Sequence, residues 1–268
     1  MKFSIVTISF NQREFLERTI RSVIGQRGVE LEYIIVDPGS TDGSRDIIEA
    51  YHPHFAHVIL EKDGGPADGL NKGFALATGD VYGFLNSDDT LEPGALSEVA
   101  AWLERHPDID VVSGHAWITD RDDRRLRRAW SEPFERLPVA YGAAIQIQPS
   151  TFMRRAAYLA AGGFNPQNRS NWDSELMVDL YSLGAKFGTI DKFLSCYRLH
   201  GLSITNTGVL DGQLRLWSTR RFVRLMGREP VETDRFVRLA LRVAKYARRP
   251  AAFIERLRYG PVYRRGVR

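Results

Sequence analysis

Two adjacent carboxylates, Asp88 and Asp89, mark the stretch of this sequence best suited to chemistry. They follow the apolar residues 81–85, which predict a buried strand, and the polar residues Asn86 and Ser87. In open α/β sheets, ligands bind at the edge formed by the carboxyl ends of the strands. Adjacent carboxylates repel each other unless a cation or strong donors lie between them, and such oxygen ligands suit Mg²⁺ or Mn²⁺ shared with substrate phosphates. Taken alone, the pattern is equally compatible with a metal site and with a turn in which Asp89 caps the next helix.

Further polar side chains follow the other strands predicted in this part of the chain. Strand 4–9 ends at Ser9 and strand 31–36 is followed by Asp37, so both side chains are expected at the same edge of the sheet. The loop and helix after a third predicted strand carry Asp63, Asp68, Asn71 and Lys72. The ammonium group of Lys72 suits a phosphate group as a point charge. The alternative is that Asp37 is a turn residue and that the helix presents an ordinary polar face.

In their order and spacing, these segments resemble the nucleotide-sugar half of a family 2 glycosyltransferase with the GT-A fold. The residues that carry the resemblance are 6–11, 36–44, 71–73, 77–80 and 86–89. The resemblance extends over residues 1–206, and the bacterial polysaccharide glycosyltransferases of the family are the most similar. It implies an α/β fold with a Rossmann-like nucleotide-binding sheet in residues 1–90 and an acceptor half in residues 91–206.

The resemblance also implies roles for individual residues. The donor would be a nucleoside diphosphate sugar, and Asp37 would accept a hydrogen bond from its nucleobase. Residues 86–89 would be a variant of the Asp-x-Asp motif, in which Asp89 holds Mn²⁺ or Mg²⁺ and His200 approaches the metal or the diphosphate. The remaining nucleotide-sugar contacts would come from Ser9, Asp63, Asp68, Asn71, Lys72 and Asp88.

Asp173 is the expected catalytic base for an inverting, direct-displacement transfer. Enzymes of the resembled family place this base at the start of a helix in the acceptor half, commonly in a Glu-Asp pair. The residue before Asp173 is Trp172 instead of Glu, and Glu175 is the second candidate for the base. From the sequence alone, Asp173 could also serve only as a helix N-cap, with Glu175 in the first turn.

The acceptor half predicts alternating helices and strands. We expect a helix over residues 93–105, a strand over 111–119, a return strand over 124–130 and a further strand within 145–153. Two more strands are expected over 186–190 and 192–199, and Leu176, Leu180 and Leu183 are expected on the core face of the helix that begins at Asp173. The turn before the return strand carries an arginine cluster, which predicts either a solvated hairpin tip or a surface facing an acidic acceptor or lipid headgroups. The cluster consists of Arg121, Arg124, Arg125, Arg127 and Arg128.

The tail of the sequence differs in charge from the rest. Residues 211–268 hold 16 Lys and Arg against 5 Asp and Glu, a charge of +11, whereas residues 1–210 hold 21 against 28, a charge of −7. Aromatic and aliphatic residues recur at helical spacing between the arginines, so residues 207–268 predict an extension of basic amphipathic helices. Such helices can bind an anionic membrane surface, and the alternatives are packing on the catalytic domain or a homodimer interface.

Composition limits the remaining possibilities. The single cysteine, Cys196, excludes an internal disulfide and a cysteine-rich metal site, and no apolar run approaches the ~20 residues needed to span a bilayer. Residues 1–6 read as a first strand rather than a signal peptide, and no nucleic-acid motif is present. We therefore expect a cytoplasmic enzyme, peripheral at the inner face of the cell membrane, with a saccharide or polyprenyl-linked acceptor. The alternative functions are a sugar nucleotidyltransferase and a non-catalytic nucleotide-sugar-binding module.

Overall fold

A computed structural model describes residues 1–201 and 211–260, and the predicted boundary at residues 206/207 lies outside this part of the chain. The strands are β1 (Lys2–Ile8), β2 (Glu30–Val36), β3 (His57–Ile59), β4 (Val81–Asn86), β5 (Thr90–Leu91), β6 (Val111–Thr119), β7 (Arg125–Ala129), β8 (Thr151–Arg154) and β9 (Phe187–Arg198). The helices are α1 (Arg13–Ile24), α2 (Ser44–Ala50), α3 (Pro66–Leu76), α4 (Ala95–Arg105), α5 (Arg136–Ala140), α6 (Arg155–Ala161), α7 (Trp172–Ser182), α8 (Asp211–Met226), α9 (Asp234–Arg248) and α10 (Pro250–Tyr259). Short 3₁₀ turns span His52–His54 and Gln148–Ser150.

The strands form one mixed sheet in the order β3-β2-β1-β4-β8-β6-β9-β5, with β7 paired to β6. Strands β1 to β4 are parallel, whereas β8 runs antiparallel to both β4 and β6. In β2, Ile34 and Val36 pack in one apolar cluster and Tyr33 and Ile35 in another, so both faces of the sheet are covered. Near-continuous apolar runs such as the one in β2 are typical of parallel strands buried on both faces. All four parallel strands therefore direct their carboxyl ends to one edge.

Most of the predicted elements are present, and four details differ. The two strands expected over 186–199 are one strand, β9, because its pairing with β6 continues past Asp191 with shifts in register. The strand expected within 145–153 starts only at Thr151, after a 3₁₀ turn. Leu183 is exposed because it follows the end of α7, although Leu176 and Leu180 are buried as predicted. Asp89 caps no helix, since β5 follows it and α4 begins at Ala95.

The helices of the tail pack in two different ways. Helix α8 buries Trp217, Phe222 and Leu225 in the same apolar cluster as strands β1, β2 and β4, so its packing follows the alternative in which tail helices cover the core. Helix α9 directs polar side chains toward the segment between β7 and α5, where Lys245 pairs with Glu132 at 2.7 Å. Most apolar side chains of α9 and α10 face outward, whereas Leu241 of α9 packs against the apolar cluster that α8 joins. The most exposed are Phe236, Leu239, Val243, Ile254 and Leu257, with exposed fractions of 59–70%.

Candidate active site

The carboxyl ends of the parallel strands meet through backbone hydrogen bonds. The N–H of Ser9 donates to the carbonyl of Val36 at 2.8 Å, and the N–H of Asp37 donates to that of Ile59 at 2.8 Å. The N–H of Ser87 donates to the carbonyl of Ile8 at 3.2 Å. The ends of β1 to β4 are thus held side by side, and they bring together the predicted residues that follow β1, β2 and β4.

Asp89 is buried at this edge with half of its carboxylate unpaired. Asp89 is only 1% exposed, and its Oδ1 accepts a hydrogen bond from the backbone N–H of Arg198 at 2.9 Å. Its Oδ2 is buried and accepts no hydrogen bond within the described residues. Burial and the charge of Asp88 raise the pKa of Asp89 well above its usual range, while the N–H and the guanidinium of Arg198 act in the opposite direction. The positive charge of Arg198 therefore only partly offsets the burial of this carboxylate and the charge of its neighbour.

The guanidinium of Arg198 holds the loop that carries the two carboxylates. Its Nε donates to the carbonyl of Asp88 at 2.7 Å, and its Nη2 pairs with Asp123 at 2.6 Å. Its Nη1 donates to the carbonyls of Asp120 and Arg121, both at 3.2 Å. The buried guanidinium therefore ties the end of β4 to the turn between β6 and β7.

Asp88 lies next to Asp89 and contacts the predicted metal-binding histidine. Asp88 Oδ2 is 3.0 Å from Nε2 of His200, whose ring packs on Phe15 with centroids 4.5 Å apart. The structure thus places His200 beside Asp88. Its proposed approach to a metal or a diphosphate stays a prediction.

The chemistry of this cluster fits a divalent cation that is only partly held by protein. The unpaired Oδ2 of Asp89 and the neighbouring carboxylate of Asp88 are hard oxygen ligands, as Mg²⁺ and Mn²⁺ prefer. Among the described residues, no three His, Cys, Asp or Glu side chains are grouped to hold a metal by themselves. A cation here would need ligands from elsewhere, as Mg²⁺ sites that share substrate phosphates do.

Asp37 is fully buried and already accepts several hydrogen bonds. Its Oδ1 accepts the N–H groups of Gly39 at 3.1 Å and Ser40 at 2.8 Å, and the Nε of Arg45 lies 3.2 Å away. Within the described residues, its Oδ2 accepts only the hydroxyl of Ser40, at 2.6 Å. Oδ2 therefore has more capacity than Oδ1 to accept a hydrogen bond from a nucleobase. Nearby Ser9 has a buried hydroxyl that forms no hydrogen bond within the described residues.

The loop before α3 brings Asp63, Asp68 and Lys72 together. The N–H of Gly65 donates to Asp63 Oδ1 at 2.8 Å, and Lys72 Nζ lies 3.8 Å from Asp68 Oδ2. Gly69 allows this arrangement, because a Cβ at that position would lie 2.6 Å from Asp63 Oδ2. Burial raises the pKa of Asp63, although the Gly65 N–H opposes the shift. These three side chains form a polar group beside the sheet edge, as expected for a ligand-binding loop.

Asn71, which was predicted to contact the donor, has a structural position. Its Nδ2 donates to the carbonyl of Phe164 at 2.8 Å. Its Oδ1 accepts the N–H of Phe164 and the hydroxyl of Tyr158, both at 2.9 Å. The amide therefore links α3 to the loop after α6, and a donor contact would have to displace one of these bonds.

Asp173 lies in the first turn of α7, where its carboxyl group is close to the backbone N–H groups of Ser174 and of its own residue. Burial raises the pKa of this carboxyl, and those two N–H groups oppose the rise. The ring of Trp172 lies 5.2 Å from that of Phe84, so α7 starts beside the end of β4. A raised pKa makes a carboxylate a stronger proton acceptor, and the position of α7 beside the end of β4 is compatible with the predicted role of Asp173 as a base.

Glu175 is bound to neighbouring side chains. Its Oε2 accepts Nδ2 of Asn168 at 2.8 Å and Nδ2 of Asn165 at 3.2 Å. Its Oε1 lies 3.9 Å from Nη1 of Arg224 in α8. These contacts make Glu175 a less suitable base than Asp173.

Arg198 and Arg45 are site residues to which the sequence analysis assigned no role. Arg45 lies in the first turn of α2, after the loop that follows Asp37, and Arg198 is the last residue of β9. An arginine that ends a strand rich in apolar residues is the only signal that could have drawn attention to Arg198. Its target could not have been predicted, because the Asp88 carbonyl is 110 positions away in the sequence.

Comparisons of sequence relate the chain to known proteins. The family model Glycosyl transferase family 2 matches residues 4–160. An uncharacterised glycosyltransferase of Nostoc sp. is 29% identical over 212 residues, which cover 75% of this chain and 66% of that protein. A PGL/p-HBAD biosynthesis glycosyltransferase of Mycobacterium tuberculosis is 30% identical over 177 residues, which cover 64% of this chain and 67% of that protein. The chain thus spans about two-thirds of the length of these relatives.

Solved structures share the fold. TarS of S. aureus in complex with UDP-GlcNAc matches with a TM-score of 0.70 and 20% identity, over 96% of this chain and 74% of that one. The mannosyltransferase PcManGT of Pyrobaculum calidifontis, in complex with GDP-Man and Mn²⁺, matches with a TM-score of 0.65 and 17% identity, over 94% and 77%. The prediction of a GT-A fold is confirmed.

Proposed function

Because the chain belongs to glycosyl transferase family 2, we propose that it transfers a sugar from a nucleoside diphosphate donor to an acceptor hydroxyl, with inversion. One observation carries the proposal. The buried, unpaired Oδ2 of Asp89 lies next to Asp88 at the edge where the parallel strands end. A carboxylate left in this state is costly unless a cation accompanies the bound ligand.

The donor half of the site would hold the nucleotide and the diphosphate. Asp89, with Asp88 beside it, would hold Mn²⁺ or Mg²⁺, and the bound cation offsets negative charge on the departing diphosphate. Ser9, Asp37 and the group around Asp63 would bind the nucleoside, since they line the same edge. Complexes of TarS with UDP-GlcNAc and of PcManGT with GDP-Man support a nucleoside diphosphate sugar as the donor class.

Asp173 would accept the proton of the acceptor hydroxyl as that oxygen attacks the anomeric carbon. Its raised pKa brings the carboxylate closer to the pH at which a general base works best. The indole Nε1 of Trp217 lies 3.2 Å from the hydroxyl of Ser174, so α8 supports the turn that carries the base. The start of α7 is thereby held in place, as an in-line displacement requires.

The experiment compares Asp173→Asn with Glu175→Gln. Nucleotide sugars would first be screened for thermal stabilisation in the presence of Mn²⁺, because a bound donor stabilises the folded state. With the best donor, Asp173→Asn should keep donor binding and lose about 10² to 10⁴ in turnover, whereas Glu175→Gln should keep most of its activity. Full activity of Asp173→Asn would exclude this base.

The same assays test the alternative functions. If the wild type neither transfers nor hydrolyses any donor that it binds, the chain is a nucleotide-sugar-binding module. If it forms a sugar nucleotide from a nucleoside triphosphate, it is a nucleotidyltransferase.

The acceptor would be a saccharide or a polyprenyl-linked sugar at the inner face of the cell membrane. The support comes from α9 and α10, which expose Leu239, Val243 and Leu257 among basic side chains. An amphipathic helix with its apolar side outward can bury that side in a bilayer interface while its arginines meet anionic headgroups. Within residues 1–201 and 211–260, no helix is long and apolar enough to cross a membrane. The proposed contact is a peripheral one, made by α9 and α10.

A further inference from the structure

A basic cavity of about 310 Å³ lies where β7 and the segment after α5 meet α9 and α10. Its lining includes Glu132, the aromatic side chains Trp130 and Tyr246, and five cationic side chains. The cationic residues are Arg127, Arg128, Arg242, Lys245 and Arg256. None of the candidate donor or base residues lines this cavity.

Two of the five cations are paired with carboxylates. Lys245 pairs with Glu132 at 2.7 Å, and Arg128 pairs with Glu255 at 3.0 Å. Arg242 and Arg256 make no side-chain hydrogen bond or ion pair within residues 1–201 and 211–260. The lining therefore carries more positive than negative charge even after these pairs are counted.

Arg127 is the buried member of the group. It is 9% exposed, and its Nη1 donates to the carbonyl of Gly260 at 2.8 Å. Its Nε is buried and has no partner within the described residues. Burial lowers the pKa of Arg127, Glu255 opposes the shift, and the charge of Arg256 adds to it. Guanidinium groups stay charged under such conditions, so the donors and the charge remain available for an anion.

A second cavity of about 220 Å³ adjoins the first and shares Gly142 and Arg242 with it. Arg221 and Arg238 also line the second cavity. The Nε of Arg221 is buried without a partner within the described residues, as is that of Arg127. Each cavity is therefore lined by an arginine that has one buried, unpaired nitrogen, and Arg242 lines both cavities.

We propose that these connected cavities, which we call the arginine cleft, bind a phosphate-type dianion, namely a phosphomonoester or a diphosphate. Guanidinium groups bind phosphate oxygens through two parallel hydrogen bonds, and several of them together favour a doubly charged ligand over a carboxylate. The apolar part of the ligand would lie against Trp130 and Tyr246. The phosphate could come from a lipid headgroup or from a soluble phosphorylated molecule, and the site is independent of the proposed transfer reaction.

The first experiment measures binding of phosphate and pyrophosphate without divalent metal. The cleft variant is Arg242→Gln/Arg256→Gln, since both residues are exposed and their loss should leave the fold intact. The matched control is Arg235→Gln/Arg258→Gln, which removes the same charge from the same two helices. Arg235 and Arg258 lie outside both cavities and stack on the rings of Phe236 and Tyr259.

Pyrophosphate should raise the thermal midpoint of the wild type and of the control by mass action. The cleft variant should bind at least about tenfold more weakly, as expected for the loss of charge-assisted hydrogen bonds. Equal weakening in both double variants would overturn the proposal, because it would indicate a response to overall charge alone. Unchanged binding in the cleft variant would also overturn it, since the anion would then bind elsewhere.

The second experiment identifies the source of the phosphate. The three proteins would be sedimented with neutral vesicles and with vesicles containing phosphatidic acid. If the ligand is a lipid headgroup, the cleft variant should lose more of its sedimentation with phosphatidic-acid vesicles than the control does. If the ligand is soluble, the cleft variant should bind pyrophosphate more weakly than the control, and the two variants should sediment equally with vesicles. If the wild type binds neither pyrophosphate nor phosphatidic-acid vesicles, the proposal is wrong.

Discussion

Arg198 determines the local geometry of the Asp88–Asp89 pair. It is 1% exposed, and its backbone and side chain contact Asp89, the carbonyl of Asp88 and the carboxylate of Asp123. Its guanidinium also lies 5.1 Å from the ring of Phe15. Arg198 touches none of the proposed reacting atoms. It is a positioning residue, because its hydrogen bonds to Asp89 and to the carbonyl of Asp88 orient the two carboxylates.

Arg198→Lys should impair metal use more than it impairs folding. Lysine keeps the charge but loses the planar fork that reaches several oxygens at once. Loss of a residue that orients metal ligands typically costs about 10- to 100-fold in metal affinity or activity. We therefore expect the Mn²⁺ concentration for half-maximal activity to rise by about tenfold. At saturating Mn²⁺, the KM for the donor should be similar to that of the wild type.

The control for this variant is Arg125→Lys, in which the lost arginine is half exposed and pairs with Glu92 at 2.7 Å. This variant should leave the metal dependence unchanged, since an exposed ion pair contributes only about 0–1 kcal/mol. An unchanged metal requirement in Arg198→Lys, in a protein with the wild-type melting temperature, would show that Arg198 does not orient the site.

At the scale of the elements, Glu32 joins β1, β2 and the loop before β4. Its carboxylate accepts the hydroxyl of Ser4 at 2.5 Å, the N–H and hydroxyl of Thr78 at 2.7 and 2.6 Å, and the ammonium of Lys2 at 3.0 Å. Burial by itself would raise the pKa of Glu32, but these hydrogen bonds lower it to about 2. The parallel strands that form the donor site therefore share a buried, ionised carboxylate.

Glu32→Gln should lower the free energy of unfolding at pH 7 by about 3 kcal/mol. A depressed pKa contributes stability above the unfolded-state value, and that stability is lost as the pH falls toward 2. The difference between wild type and variant should therefore shrink between about pH 4.5 and 2, measured by urea unfolding at several pH values.

Glu30→Gln provides the comparison on the same strand, because Glu30 is 72% exposed and lies 4.0 Å from the same Lys2 ammonium. Its removal should change the free energy of unfolding by less than about 1 kcal/mol at any pH. A pH-independent loss in Glu32→Gln would assign the stabilisation to packing and not to the ionised hydrogen bonds.

At the scale of the whole molecule, the tail divides into a supporting part and an exposed part. Helix α8 fills the core beside α5 and α7, and Arg224 pairs with Asp179. Helix α9 is attached mainly through polar contacts, such as that of Lys245 with Glu132 at 2.7 Å, and through Leu241, which packs against the core. Its outward apolar side chains and the basic residues around them suit the peripheral contact with an anionic bilayer that we propose.

Leu239→Ser/Val243→Ser/Leu257→Ser should abolish sedimentation with anionic vesicles at low salt. Each side chain is 61–70% exposed, so the change removes apolar surface without disturbing the core. Substitutions are preferable to removal of the whole tail, because such a truncation would also delete the buried part of α8. The wild type should bind anionic vesicles at low salt, release them at high salt and not bind neutral vesicles.

The matched control is Leu76→Ser/Leu159→Ser/Leu183→Ser, which removes exposed leucines from other elements. It should bind vesicles as wild type does. Equal loss in both variants would contradict a specific surface on α9 and α10. The wild type could instead bind no vesicles and form a dimer whose population rises with concentration. If only the first variant loses that dimer, the exposed face of α9 and α10 is an interface with a second copy of the chain.

The sequence by itself determined the family, the order of the strands in residues 1–86 and the group of polar residues at one sheet edge. Apolar runs and glycine turns are local signals, and parallel strands direct their carboxyl ends to the same side. Asp37, Asp88 and Asp89 could therefore be placed together before any contact was known.

Only the tertiary structure decided which of these groups are already satisfied. Asn71 and Asp37 bind protein partners, whereas Oδ2 of Asp89 does not within the described residues, and no local pattern distinguishes these cases. Likewise, the apolar periodicity of the tail is the same whether a helix turns its apolar side inward, as α8 does, or outward, as α9 does. These outcomes depend on contacts between residues far apart in the chain, which side-chain periodicity cannot encode.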